Sequence, residues 1–248
     1  MPPSTGTPPA AAARASSRAA NATTPPARAR ARPARRKQAR PGELLAAALE
    51  LFVEKGYAAT RVDEVARRAG VSKGTLFLYF ASKEELFKAV VRENLSGRFP
   101  QWRMEVDAFP GNSSELLRHA MHAWWQRIGA TQASGISKLM ISEASNFPDL
   151  ARFYSREVIN PANDLIRSIL QRGVERGEFR PIDLQYGVYT VMAPMLYLLV
   201  WKHSLGACAP AHEMLVPEQY LAAQIDTLLH GLCAAPSPAA PRRARSQP

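Results

Sequence analysis

Ser72, Lys73, Gly74 and Thr75 make the stretch of this chain whose side chains and spacing point to a definite chemistry. Lys73 supplies a cation that can reach a phosphate or the acceptor edge of a guanine. Thr75 supplies a hydroxyl and a methyl that can meet a base edge or a thymine methyl. Gly74, between them, lets another backbone approach closely. These groups can read double-stranded DNA if they stand at the start of a helix, and the flanking residues predict one. Thr60 is placed to cap a helix over about 61–69, where Val62, Val65, Ala66 and Ala69 recur at helical spacing and turn an apolar face inward. Gly70 stops that helix at a position suited to a left-handed residue. Ser72 caps the next helix, whose body is Lys73 to Phe80. Two short helices joined by a tight turn form a helix-turn-helix, whose second helix enters the major groove while its flanks meet phosphates.

Other chemistries find no support. His119 and His122 are three apart on a helical stretch, but no carboxylate or cysteine accompanies them at ligand spacing. There is no nucleophile–base set and no phosphate-cradling glycine loop. The expectation is a protein that is not an enzyme and holds no metal or cofactor.

Thr60, Val65, Ala66, Ala69-Gly70-Val71-Ser72, Gly74-Thr75-Leu76-Phe77, Tyr79-Phe80 and Ser82-Lys83-Glu84-Glu85-Leu86 occur in register. Through them the segment closely resembles the DNA-binding domain of the tetracycline-repressor (TetR) family of bacterial regulators. The resemblance implies an all-α fold with an N-terminal three-helix helix-turn-helix domain and a larger helical effector and dimerisation domain. It implies that Tyr79 and Lys83 hold phosphates and that Thr60 adds a phosphate contact through its hydroxyl. Phe77 stands where many relatives have tyrosine, which suits an apolar contact to a base or sugar. A protein of this kind is a ligand-responsive transcriptional repressor. It binds a palindromic operator as a homodimer and is released by a small apolar or aromatic effector.

The net charge of +11 is unevenly spread. Residues 1–42 hold eight Arg and one Lys with no acid, and residues 234–248 hold three Arg with no acid, which leaves the body between them at −1. Residues 43–91 balance seven basic against seven acidic side chains. Phosphate affinity must therefore come from a few placed groups, with Arg28–Arg40 as a non-specific electrostatic supplement. Two cysteines, Cys208 and Cys233, suit a reducing cytoplasm, and no secretory leader is evident. The apolar run Tyr186 to Trp201 is 16 residues long and contains Pro194, short of the roughly 20 that span a bilayer, so no membrane partner is expected.

The composition divides the chain into a disordered basic arm (1–40), a DNA-binding domain (41–91), a helical ligand-binding and dimerisation domain (92–233) and a basic tail (234–248). Beyond Pro110 the pattern is helical throughout, with helices expected over 112–129, 134–145, 149–176, 184–205 and 218–233. Met121, Trp124, Trp125, Met140, Tyr154, Tyr189 and Met192 are the candidates to line an adaptable apolar pocket. The resemblance implies that the last two main helices build a four-helix dimer seam, for which Leu196, Leu199, Leu221, Ile225, Leu228 and Leu229 are the candidates.

Deleting residues 1–38 removes eight positive charges and no apolar anchor. The truncated protein should keep its circular dichroism spectrum and its DNA sequence preference while losing affinity at low salt. Loss of sequence preference in binding titrations would instead assign base reading to the arm.

Overall fold

The computed structural model describes residues 41–210 and 214–230, and among them no strand occurs. The arm 1–40 and the tail 234–248, expected to be disordered, lie outside the described residues. The helices are α1 (Pro41–Ala59), α2 (Val62–Arg68), α3 (Lys73–Phe77), α4 (Lys83–Asn94), α5 (Phe99–Asp107), α6 (Ser113–Trp124), α7 (Ser134–Glu143), α8 (Pro148–Tyr154), α9 (Asn160–Glu175), α10 (Leu184–His203) and α11 (Pro217–His230). The expected helix over 112–129 is α6 followed by a π turn, Trp125–Gly129. The expected helix over 149–176 is α8 and α9 joined by a second π turn, Ser155–Ile159, just ahead of Pro161.

Local signals set most helix ends. Gly70 sits at φ 73°. Its N–H donates to Arg67 O at 3.1 Å and that of Val71 to Ala66 O at 2.9 Å, the paired bonds that close a helix through a left-handed residue. Ser72 accepts from Thr75 N at 3.0 Å, and Asp183 caps α10 through Gln185 N and Tyr186 N. Ser82 caps α4 through Glu85 N. The Glu85 carboxylate pairs with Lys88 instead of reaching back to close a capping box. The reciprocal box is found at Asn112 and Glu115.

Leu44, Ala48, Leu51 and Phe52 of α1 form the centre of the head, against Val65, Leu76, Leu86 and Phe87. The same apolar cluster continues through Val91 and Leu95 into Ile136, Leu139 and Phe153. Position 91/92 thus divides the sequence but not the packing. A second cluster joins α6, α9 and α10 around Met121, Ile169 and Val191.

A glycine at position 56 suits the end of α1. The helix instead kinks there, at φ 84° and ψ 170°, and resumes to Ala59. This backbone region is open to glycine alone. A Cβ at Gly56 would also stand 2.5 Å from Glu143 Oε1. That carboxylate, at the end of α7, accepts from Tyr57 N at 2.8 Å and Ala58 N at 3.2 Å. From the other side Lys83 Nζ donates to Tyr57 O, Ala58 O and Thr60 O at 2.8, 3.1 and 3.1 Å.

Gly56→Ala should therefore destabilise by about 1–3 kcal/mol from backbone strain alone, with the displaced carboxylate adding to it. In urea unfolding, the double variant Gly56→Ala/Glu143→Ala should be less destabilised than the sum of the single variants, because the group that the new methyl displaces is gone. Additive effects would separate Gly56 from Glu143.

Candidate DNA interface and effector cavity

In the reading head, α2 supports α3 from behind and α3 presents its start to solvent. Lys73 and Gly74 are exposed, and Ser72 and Thr75 are half-buried with their hydroxyls 2.8 Å apart. Ser72 is thus a cap first, and the Thr75 hydroxyl is engaged with it. Lys73 Nζ lies 5.9 Å from the centre of the Phe77 ring. A Cβ added at Gly74 would meet only Ser72 Oγ, at 3.7 Å, so nothing within the protein requires glycine there. Phe77 and Tyr79 are exposed, as a contact surface needs. Leu78, not singled out in the sequence, is 85% exposed between them. Its lack of any packing role could not be read from a short apolar run.

The basic residues of α2 are largely engaged within the head. Arg68 pairs with Glu50 and Glu54, Arg67 with Asp63, and Lys55 of α1 with Glu64. Exposed pairs of this kind contribute little to stability, but they leave Lys73 as the cation at the edge of α3.

Two side chains expected at phosphates are placed otherwise in the fold. The first is Thr60 as the cap of α2 and a phosphate contact. The cap position is Arg61, whose side chain makes no capping bond, and Thr60 is 2% exposed. Its hydroxyl turns back to Gly56 O at 2.7 Å, where α1 kinks, and lies 3.0 Å from Leu51 O, so its one proton is shared within α1. The second is Lys83 as a phosphate contact. Its three N–H groups are committed to the carbonyls of the kinked segment, and its ammonium lies 4.4 Å from the centre of the Tyr57 ring. Burial holds its pKa below the usual lysine range. Lys83 ties α4 to the end of α1.

The effector half encloses a cavity of about 350 Å³ between α5, α6, α7, α9 and α10. That volume lies in the range of small-molecule sites. Trp124, Met140, Tyr154, Tyr189 and Met192 line it, and Trp102 and Phe99 add to the wall. Met121 and Trp125 do not. Met121 is fully buried in the packing of α6 on α9 and α10. Trp125 follows Trp124 by one residue, a turn of about 100° about the helix, and packs on Leu198, Leu199 and Leu221.

Four polar side chains in the wall are paired with one another. Arg127 donates to Glu105 at 2.6 Å, and this bond holds the Glu105 carboxyl below its usual range. Tyr154 bonds Ser137 at 2.8 Å, and burial pushes its phenol up to about 12, so it stays neutral. His119 lines the cavity beside Phe109, whereas His122 bonds its own helix at Arg118 O. These two histidines do not converge.

The dimer candidates also divide. Leu199, Leu221 and Ile225 are buried within their own chain, because α11 uses that stripe to dock on α10 and α6. Leu228 and Leu229 are half-buried against the same core. Of the six, Leu196 is the exposed one. The apolar face left open on α10 consists of Tyr186, Tyr189, Leu196 and Tyr197, with exposed Ala193 among them. At 20 residues α10 exceeds the apolar run seen in the sequence, and by length and composition alone it could cross a membrane. In the fold one side of it packs on α9 and α11.

An exposed helix-turn-helix on an all-helical body with an apolar cavity defines a DNA-binding regulator with a ligand-binding half. Residues 44–90 match the family model of the bacterial regulatory proteins of the tetR family, and residues 111–214 match that of the tetracyclin repressor-like C-terminal domain. The chain belongs to the tetR family of transcriptional regulators. It is 32% identical over 187 residues to the HTH-type transcriptional repressor KstR2 of Mycobacterium tuberculosis, covering 74% of this chain and 90% of that one. Among solved structures it resembles the fatty acid degradation regulator FadR of Bacillus halodurans, with a TM-score of 0.65 at 22% identity over 79% of this chain and 98% of that one. It also resembles FadR of Bacillus subtilis in complex with stearoyl-CoA, with a TM-score of 0.57 at 17% identity over 78% of this chain and the whole of the other.

Gly74→Ala should leave thermal stability unchanged or slightly raised, by up to about 1 kcal/mol, and weaken DNA binding. An unchanged DNA titration would remove the close approach at Gly74. Lys83→Ala should lower the unfolding temperature, since it leaves three carbonyls without their cation. Unchanged stability with a flatter salt dependence of DNA binding would restore Lys83 to the phosphates.

Proposed function

We propose that this chain is a repressor that binds a palindromic operator as a homodimer and lets go when an apolar effector fills the cavity. One observation carries the coupling. Ser137, Met140, Ile141 and Ala144 of α7 and its end line the cavity, and Glu143 of the same helix grips the kinked end of α1 beside the reading head. A ligand that repositions the last turn of α7 must move the hydrogen-bond acceptor of Tyr57 and Ala58. A ligand preferring one arrangement of that joint shifts DNA affinity by its differential affinity for the two states.

The wall chemistry favours a largely apolar molecule with few polar groups, since Glu105 and Arg127 neutralise each other. The relatives named for fatty acid regulation make an acyl compound the first to try, and stearoyl-CoA is the first probe. Fragments of the source genome selected by the protein supply the DNA. Stearoyl-CoA, or another apolar compound that changes the fluorescence of Trp102 and Trp124, should release those fragments in a mobility-shift assay. Cavity ligands that never alter DNA affinity would overturn the effector reading.

The dimer seam proposed in place of the leucine stripe is the open face of α10 with the small exposed residues Ala222 and Ala223 of α11, which allow close helix approach. A two-fold seam of this kind matches a palindromic site. Ala193→Glu adds a charge at an exposed position that disturbs no core packing. It should turn the dimer into a folded monomer by light scattering and weaken operator binding steeply. A variant that stays a full-affinity dimer would move the seam elsewhere.

A further inference from the structure

A second depression adjoins the cavity. Phe99 lines both, and Leu95 and Val158 of the cavity are followed and preceded in the chain by Ser96 and Glu157 of the depression. Two elements build this border, the end of α4 and the π turn Ser155–Ile159. Each turns apolar residues inward and charged ones outward. Arg92 of α4 grips the Glu157 carboxylate with two bonds, Nε to Oε2 and Nη2 to Oε1, both 3.2 Å. Arg156 Nη2 stands 3.8 Å from the same Oε1. One carboxylate therefore sits between two guanidinium groups, and the cluster keeps a positive charge. Of the other groups nearby, Glu85 also acts on Arg92 but is itself paired with Lys88.

We propose that this cleft receives the anionic head, a carboxylate or phosphate, of an amphiphile whose apolar body occupies the cavity. The proposal rests on the effector reading above and adds what reads the head. Glu157 marks the place of the anion. A ligand head there takes Arg92 from Glu157 through the same forked geometry, for which guanidinium is suited to carboxylate and phosphate alike. The exchange unties α4, the helix that carries Lys83 and the reading head, from the π turn.

Dodecyl phosphate, dodecanoate and dodecanol share a chain and differ in the head. Titrated against the tryptophan fluorescence of the full-length protein, the two anions should bind about tenfold or more tighter than the alcohol, as charge-assisted bonds allow. In Arg92→Gln/Arg156→Gln the ratio of anion to alcohol affinity should fall to about one. Arg156→Gln alone, at a side chain 71% exposed and 3.8 Å from Glu157, should lower the ratio in the same direction. Amide exchange across α4 should rise with dodecyl phosphate and not with dodecanol. Equal binding of all three compounds, an anion preference that survives the double variant, or unchanged exchange in α4 would overturn the proposal while leaving the cavity reading intact. Inorganic phosphate that competes as well as dodecyl phosphate would overturn it in favour of a free-anion site. A protein that binds none of the dodecyl compounds would refute the cavity reading with it.

Discussion

Gly56 to Thr60 is gripped from two directions at once. Glu143 accepts the amide protons of Tyr57 and Ala58 from the effector side, and Lys83 donates to the carbonyls of Tyr57, Ala58 and Thr60 from the head side. The kink at Gly56 frees backbone groups that a continuous helix would satisfy itself, and a charged side chain of each sign is bound to them. The one hydroxyl proton of Thr60 is directed to the carbonyls of Gly56 and Leu51. The Tyr57 ring completes the joint, with ring centroids 5.3 Å from Phe87 of α4 and 4.8 Å from Phe147 ahead of α8. Because α2 and α3 follow directly, the orientation of the recognition helix is referred to this joint.

The effector half shows the complementary economy. Its cavity wall is largely apolar, and its two opposite charges, Glu105 and Arg127, are paired with each other, so the ligand need not satisfy an orphaned charge. A second set of charged groups lies at the rim, on the end of α4 and on a π turn. π turns recur at functional sites because the extra residue shifts which side chains face inward. Here that turn brings Val158 and Ile159 to the cavity and Arg156 and Glu157 to the outside.

Much of the head is legible in the sequence because its signals act over a few residues. Gly70 and Ser72 do what their neighbours require, through backbone groups a few residues away. The periodic apolar residues of α1 and α4 could only face inward. The stripe of α11 misleads because periodicity says that a face is buried, not by what. Leu221 and Ile225 are equally well explained by a partner copy and by α10, and in the fold α10 and α6 cover them. The cavity is legible as a composition of Met and aromatic residues, but adjacent residues such as Trp124 and Trp125 diverge once the helix has a fixed azimuth.

The sequence by itself determined the all-α class and the helix-turn-helix with Lys73 and Gly74 exposed at the start of its second helix, because these follow from helix periodicity, capping and the left-handed turn at Gly70. Tertiary structure decided the partners of the long or buried side chains. Lys83 could reach a phosphate or a set of carbonyls, and Thr60 could cap a helix or fold back on the one before it. Arg92 finds its carboxylate, Glu157, 65 positions further along the chain, a pairing that no local pattern announces. A flexible charged side chain has several acceptors within its reach, and which of them stands there is set by the packing of helices far apart in the chain.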